Sequence, residues 1–221
     1  MSDKNLPKDA NEQIKRLRGQ LSQNEDCGTT HYNLAVALLG NQEYIEAEKV
    51  LHDAIECSPT LAEAYVLLGG LCLQRNDLEG CYRFNQHATK ARAGFAEGYG
   101  NMGFVLLQLV DGKDTKADEE KVDMAIKNLK KAIVHNKNFV QAYATLGTAY
   151  FMKGLVQEAI EANLEAIKIQ PEFPIAHNNL AVDYLETGEY DKAIAHCDQA
   201  EKFGFQVAQK LKDELAPHRK A

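Results

Sequence analysis

Hydrophobic residues recur along this chain at the spacing of an α-helix. In the stretch AYATLGTAYFMKG, residues 142–154, four residues share one face at intervals of three and four: Tyr143, Leu146, Gly147 and Tyr150. Alternation with a period of two, which marks a half-buried strand, is nearly absent. No proline lies between residues 60 and 170, so long helices are permitted there. The pattern predicts an all-α protein.

The same four-residue face occurs at intervals of 34 or 44 residues, and its other copies begin at His31, Tyr65, Tyr99 and His177. A second helical stretch follows each copy and carries an early small residue: Ala47, Cys81, Ala125, Ala159 and Ala193. Seven positions later each stretch carries alanine: Ala54, Ala88, Ala132, Ala166 and Ala200. These intervals predict repeated pairs of helices joined by short turns.

The pairing explains a glycine in the middle of a helix. Gly147 should cost about 1 kcal/mol relative to alanine. Antiparallel helices approach closely only where side chains are small, so we expect Gly147 to face Ala159 and Ala166. A larger residue would overpack this contact at a cost of about 1–3 kcal/mol.

These positions resemble the signature of the tetratricopeptide repeat family, W-x2-L-G-x2-Y, then A-x3-F-x2-A, then P. Tyrosine or histidine replaces the tryptophan, and the large residue of the second helix is Leu51, Asn85, Leu129, Asn163 or Cys197. The resemblance implies an all-α α-solenoid, a right-handed superhelix of five helix-turn-helix repeats with N-terminal and C-terminal capping helices. The implied repeats are 28–61, 62–95, 96–139, 140–173 and 174–207.

The remaining segments are the ends and one insertion. Residues 1–27 are expected to form a polar segment and a capping helix, and residues 208–221 a C-terminal capping helix and tail. The basic N-terminal helix could instead dock on an acidic surface of another copy. The third repeat is ten residues longer than its neighbours, around residues 110–121, which indicates a solvated loop, an extended helix end or a partner-specific contact.

Composition narrows the class of protein. The 221 residues carry a formal net charge of -7, which disfavours nucleic-acid binding. No run of 18 apolar residues is present and the N-terminus lacks an apolar signal region, so we expect no membrane insertion, no secretory signal and a cytoplasmic location. The five cysteines contain no CxxC pair, which predicts reduced thiols rather than a disulfide framework.

No catalytic motif is found in a suitable context, so we predict a protein that is not an enzyme and has no cofactor. Cys27 and His31 could offer two metal ligands, but a closed site needs four, and no metal site is predicted. Cys72 and Cys81 occupy core positions of one repeat. We interpret them as buried thiols, with a redox switch as the alternative.

The resemblance also implies a concave face, formed by the first helix of each repeat, that binds extended peptides. The predicted groove residues are Tyr32, Asn33, Val36, Glu63, Val66, Glu97, Asn101, Phe104, Gln141, Thr148, Asn178 and Asn179. Asn33, Asn101 and Asn179 share one repeat position and could bond a peptide backbone. Glu63 and Glu97 favour an apolar or basic segment. The family's lysine and arginine clamp for C-terminal carboxylates is missing.

Three functions remain open. The leading hypothesis is a non-enzymatic protein–protein interaction scaffold or adaptor that binds a peptide segment of a partner in the groove. The alternative is a self-assembling oligomer that organises other proteins through its N-terminal helix or convex face. A catalytic or metal protein within a repeat frame is the third.

Overall fold

The computed structural model describes residues 6–24 and 27–219, with side chains from residue 11 onward. The first five residues of the predicted N-terminal segment, residues 25–26 and the last two residues of the predicted tail lie outside this range. The described part contains twelve α-helices, a final 3₁₀ turn at Ala216–His218 and no strand. The helices are α1 Leu6–Leu21, α2 Gly28–Gly40, α3 Tyr44–Cys57, α4 Ala62–Gln74, α5 Leu78–Ala91, α6 Ala96–Gln108, α7 Thr115–His135, α8 Val140–Met152, α9 Val156–Ile169, α10 Pro174–Glu186, α11 Tyr190–Lys202 and α12 Gln209–Leu215.

Local chemistry sets several of these ends. The Asp77 carboxylate accepts a hydrogen bond from the Gly80 amide at 2.8 Å and so caps the start of α5. Asp114 caps α7 in the same way. Gly154 and Gly188 follow α8 and α10 with φ of +75°, a left-handed backbone that glycine adopts without strain. The short connections between paired helices are therefore encoded locally.

The chain divides into two units, and the division falls in the first turn of α6. Unit 1 covers residues 1–98 and contains α1 to α5. Within it, α2 packs on α3 and α4 packs on α5. Its main core includes the buried leucines Leu34, Leu38, Leu51 and Leu68. Ile14 and Leu17 of α1 are also buried in this core, so the apolar face of the N-terminal helix is covered within its own unit.

Unit 2 covers residues 99–221 and holds most of α6 and all of α7 to α12. Here α8 packs on α9 and α10 packs on α11. Leu180 and Cys197 belong to a core that also buries Val207, Leu211 and Leu215 from the C-terminal segment. The last helix thus contributes an apolar face to the α10–α11 pair.

The close helix contacts predicted at small residues are confirmed, with one correction. A Cβ at Gly103 would lie 2.5 Å from Cγ of Leu129, and one at Gly69 would lie 2.5 Å from Nδ2 of Asn85. Gly147 does not have Ala159 or Ala166 as its nearest neighbour, because the amide of Asn163 occupies that place. The expectation overlooked Asn163, which lies between the two alanines on α9.

The extra residues of the third repeat lengthen a helix. The α7 helix has 21 residues and begins at Thr115, so only the first part of residues 110–121 connects α6 to α7. The carboxylate of Asp118 accepts bonds from the Gly112 amide at 2.8 Å and from Nζ of Lys121 at 2.9 Å. These bonds hold the connection against α7. Across residues 6–24 and 27–219, none of the helices combines the length and the apolar character needed to cross a bilayer.

Candidate functional site

The first helices of unit 1 place the predicted residues at or near the surface. On α2, Asn33 is exposed, Val36 is 43% exposed and Tyr32 is half-buried. On α4, Glu63 and Val66 are half-buried. Burial raises the pKa of Tyr32, and the charge of Glu63 adds to this increase.

Glu63 has a partner that the sequence analysis missed. The guanidinium of Arg92 donates to Oε2 of Glu63 at 2.7 Å and also lies 4.9 Å from the centre of the Phe95 ring. The pair reduces the negative potential expected at Glu63. Arg92 follows the end of α5. Glu63 and Arg92 are 29 positions apart, and no repeat spacing in the sequence links them.

The first helices of unit 2 carry most of the remaining predicted residues. On α6, Asn101 is half-buried and Phe104 is 38% exposed. On α8, Gln141 and Thr148 are exposed, and on α10, Asn178 and Asn179 are half-buried. Glu97 belongs to unit 1, at the start of α6, and is exposed.

Asn179 brings part of this set together. Its Nδ2 lies 3.2 Å from Oγ1 of Thr148, from the carbonyl oxygen of Ala144 and from Oδ1 of Asn163. The side chain therefore bridges α10 to α8 and α9. The sequence analysis assigned Asn179 to peptide contact, whereas these bonds commit its amide nitrogen to the packing of unit 2.

A buried polar network lies behind Asn179. Nδ2 of Asn163 donates to Oδ2 of Asp183 at 2.9 Å and to the carbonyl oxygen of Ala159 at 3.0 Å, and both side chains are buried. Burial raises the pKa of Asp183 to about 7, and the Asn163 bond opposes this increase. The sequence analysis missed Asp183. The sequence does contain an indication, because a carboxylate occupies a position at which the other repeats carry apolar residues: Ala37, Leu71, Val105 and Ala149.

Two histidines are packed between α10 and α11. His177 is buried, its ring centre lies 5.4 Å from that of Phe203, and its Nδ1 lies 2.9 Å from Nδ1 of His196. Burial lowers the pKa of His196 to about 4, and the nearby His177 and Lys192 add to this decrease. Packing against Phe203 and His196 thus accounts for His177. Among the described residues, no three metal-ligating side chains are grouped closely enough to hold an ion.

Two thiols of unit 1 share a buried environment. Cys72 and Cys81 are buried, and burial raises the pKa of both, that of Cys81 to about 11. Thiols of this kind are poor nucleophiles at neutral pH. Their chemistry therefore favours the interpretation as core residues over a redox switch.

Comparison with known proteins gives the same architecture. A tetratricopeptide repeat family model matches residues 114–174 and 165–206. Protein FlbA of Caulobacter vibrioides is 26% identical over 180 residues, which are 81% of this chain and 28% of FlbA. The chain therefore spans little more than a quarter of the length of this curated relative.

Two solved structures share the fold. The TPR protein YrrB, described as having an unusual peptide-binding site, superimposes with a TM-score of 0.66 at 20% identity, over 91% of this chain and 96% of YrrB. PilF of Pseudomonas aeruginosa superimposes with a TM-score of 0.73 at 17% identity, over 89% of this chain and 86% of PilF. The predicted all-α fold class is confirmed by the described helices and by these structures.

Proposed function

Because the chain is a tetratricopeptide repeat protein, we propose that it is a scaffold that binds a peptide segment of a partner protein on the exposed faces of the first helices within its units. The fold is typically a non-enzymatic interaction module, and we extend this role to an adaptor without catalytic activity. Eleven of the twelve predicted residues are the proposed contacts, six in unit 1 and five in unit 2, and Asn179 acts through the packing of α8 and α10.

The observation that carries this proposal is the exposure of Val36 and Phe104. These side chains occupy equivalent positions on α2 and α6, and each is more than one-third exposed. Amide and hydroxyl groups lie on the same helices or on the neighbouring first helices, among them Asn33 and Thr148. Apolar side chains with a few polar groups around them suit an extended peptide, which offers both side chains and backbone bonds. The unusual peptide-binding site described for YrrB supports the same class of ligand.

The proposed partner segment is apolar, with at most a minor basic component. Arg92 pairs with Glu63, so Glu97 is the acidic residue of the proposed set for which the described residues provide no ion pair. We also propose the cytoplasm as the working compartment, because the thiols of Cys72, Cys81 and Cys197 are buried and are not joined in disulfides.

A peptide array probed with the full chain tests the proposal. A captured peptide would then be labelled and its binding to Val36→Ser and Asn33→Ala measured by fluorescence anisotropy. We expect a Kd on the order of micromolar for the wild type and an increase of about tenfold for Val36→Ser, because the variant removes one exposed apolar contact.

Ile45→Ser is the matched control. Ile45 is 89% exposed and lies at the start of α3, a second helix. Its substitution removes a comparable apolar surface but should leave the Kd unchanged. Equal weakening by Ile45→Ser and Val36→Ser would place the peptide elsewhere and contradict the proposal.

Self-assembly is the second candidate, favoured by exposed apolar side chains on second helices. Ile45 is 89% exposed and Val134 on α7 is 71% exposed. The N-terminal helix is a weaker choice of interface, because its apolar face is buried and Arg18 pairs with Glu46 at 2.7 Å. Light scattering over a range of concentrations tests it. An oligomer that Ile45→Lys with Val134→Lys dissociates would support this function, and a concentration-independent monomer would exclude it.

A further inference from the structure

Unit 2 contains a cleft that includes none of the proposed peptide contacts. It is formed by the connection after α6, the first turns of α7 and the end of α8, and its volume is about 240 Å³. Three of its lining residues are apolar: Val110, Val122 and Met152. Met152 is 44% exposed, although it belongs to the apolar lining. The cleft depends on the extra residues of the third repeat, because Val110 and the first turns of α7 form one of its walls.

The size of the cleft limits what it can hold. Sites for small molecules and cofactors usually measure about 300–1,000 Å³. At 240 Å³ the cleft is smaller than this range, but it has room for one or two amino-acid side chains. Methionine adapts its shape to an apolar group, which makes Met152 a suitable contact for an anchoring side chain.

The walls of the cleft are held in place by bonds on two sides. Asp118 is buried and accepts from the Gly112 amide and from Lys121, whose Nζ also donates to the Leu109 carbonyl oxygen at 2.9 Å. On the other side, Lys153 forms an ion pair with Asp123. A cleft that is already formed loses less conformational entropy when a ligand binds.

Negatively charged side chains outnumber positively charged ones around the cleft. Residues 110–123 together with Lys153 contain six carboxylates and four lysines. Asp118 and Asp123 are paired with Lys121 and Lys153, while Glu119 lines the cleft and is exposed. The mouth therefore carries a net negative charge, which favours a positively charged group next to whatever occupies the cleft.

We propose that this cleft is a second docking site, which takes an aliphatic side chain of a partner segment with a lysine or arginine directly after it. The aliphatic group fills the space between Val110, Val122 and Met152, and the cation lies near Glu119. The site does not depend on the peptide-binding faces of the first helices. A partner that uses both would gain affinity through the second contact.

Methyl NMR of the full chain tests this assignment, with ¹³C-methyl methionine as the label. The probes are the capped hexapeptides GSLKRG, GSAKRG and GSLEEG. We expect GSLKRG to shift the Met152 resonance and to saturate with a Kd of about 1 mM. Met124 on α7 is exposed but does not line the cleft, so its resonance should remain in place.

The comparison peptides and a pair of variants decide the outcome. GSAKRG lacks the anchor and GSLEEG reverses the charge, so both should fail to saturate at 5 mM. Glu119→Lys should raise the Kd for GSLKRG about threefold, whereas Glu161→Lys, an exposed site on α9, changes the net charge equally and should have little effect.

Three results would overturn the proposal. The first is a Met152 resonance that does not respond to GSLKRG, and the second is an equal response to all three peptides. The third is a Met152 shift that follows protein concentration without peptide, which would make a second copy of the chain the occupant.

Discussion

The α6–α7 and α8–α9 pairs meet the same steric demand with different chemistry. A Cβ at Gly103 would lie 2.5 Å from Cγ of Leu129, and one at Gly147 would overlap the amide of Asn163. Ordinary carbon contacts are about 3.5–4.0 Å. In both pairs, then, the side chain of the second helix fills the volume that a methyl group on the first helix would need.

The two filling side chains have different requirements. Leu129 is buried and needs only apolar neighbours. Asn163 is equally buried but must satisfy its amide, and it does so with bonds to Ala159, Asp183 and Asn179. The glycine contact therefore fixes the distance between two helices, while the identity of the filling residue decides whether a third helix, α10, becomes coupled to them.

The largest expected effect comes from making the second pair resemble the first. Asn163→Leu keeps the number of side-chain heavy atoms and the branch at Cγ but removes the donor to Asp183 and the acceptor for Asn179. At pH 8 the Asp183 carboxylate is largely ionised, since its pKa is raised to about 7. We expect a loss of about 4 kcal/mol in the free energy of unfolding, because a buried charge is left without its partner. Urea unfolding followed by circular dichroism measures this loss.

A double variant is the control for this prediction. Asn163→Leu with Asp183→Val gives both positions the residue types found in the α6–α7 repeat, Leu129 and Val105. It should recover to within about 1 kcal/mol of the wild type, since apolar replacement of a buried polar pair is often nearly neutral. A double variant as unstable as Asn163→Leu would mean that the loss arises from packing and not from the network.

The same network predicts a pH dependence that the α6–α7 pair lacks. The pKa of Asp183 is about 7 in the folded chain and about 4 when unfolded, so the folded state binds more protons between pH 4 and 7. Its contribution to stability is complete below pH 4 and is lost as the pH rises through 7. We expect the stability advantage of the wild type over Asp183→Asn to fall by about 3 kcal/mol across this window.

The quantity to measure is the difference in stability between the wild type and Asp183→Asn. The stability of either protein alone also depends on His196, whose titration has the opposite effect. The pKa of His196 is lowered to about 4, so this residue destabilises the folded state as the pH falls below its unfolded value of about 6.5. Its contribution is common to both proteins and cancels in the comparison. A difference that stays constant from pH 4 to 7 would contradict a raised pKa at Asp183.

The helices and their close contacts could be predicted from the sequence because they depend on local spacing. Gly103 and Gly147 fall on the apolar faces of their helices, and small residues recur on the following helix. The prediction that Gly147 faces Ala159 and Ala166 was wrong, because nothing in the sequence indicates that Asn163 is buried. Its burial depends on Asp183, which lies 20 positions away on α10.

Less of the candidate site than of the fold could be predicted from the sequence. The positions of the proposed contacts on α2 to α10 follow from the repeat spacing. Whether these side chains carry an unpaired charge or are free to bind a peptide depends on residues that the repeat spacing does not identify. Arg92 neutralises Glu63 from the end of α5, and Asn179 is bonded to Thr148 across two helices. Such long-range pairs carry no periodic signal. The cleft beside Met152 likewise required the position of the lengthened α7.

The smallest predicted changes in the free energy of unfolding come from two helix glycines with different surroundings. We expect alanine at these two positions to change stability in opposite directions. Gly103→Ala should lower the free energy of unfolding by about 2 kcal/mol, because the new methyl group overlaps Leu129. Gly70→Ala in α4 should raise it by about 0.5–1 kcal/mol, because no atom lies within 4 Å of that Cβ and alanine favours the helix.

Combining Gly103→Ala with Leu129→Ala separates overlap from propensity. Leu129→Ala alone should cost about 2–5 kcal/mol, as a buried leucine truncation does. If overlap causes the loss at Gly103, adding Gly103→Ala to Leu129→Ala should cost nothing further and should even restore some stability, because the new methyl group enters the cavity. Strict additivity of the two losses, or an equal sign for Gly103→Ala and Gly70→Ala, would mean that Leu129 does not set the need for glycine at position 103.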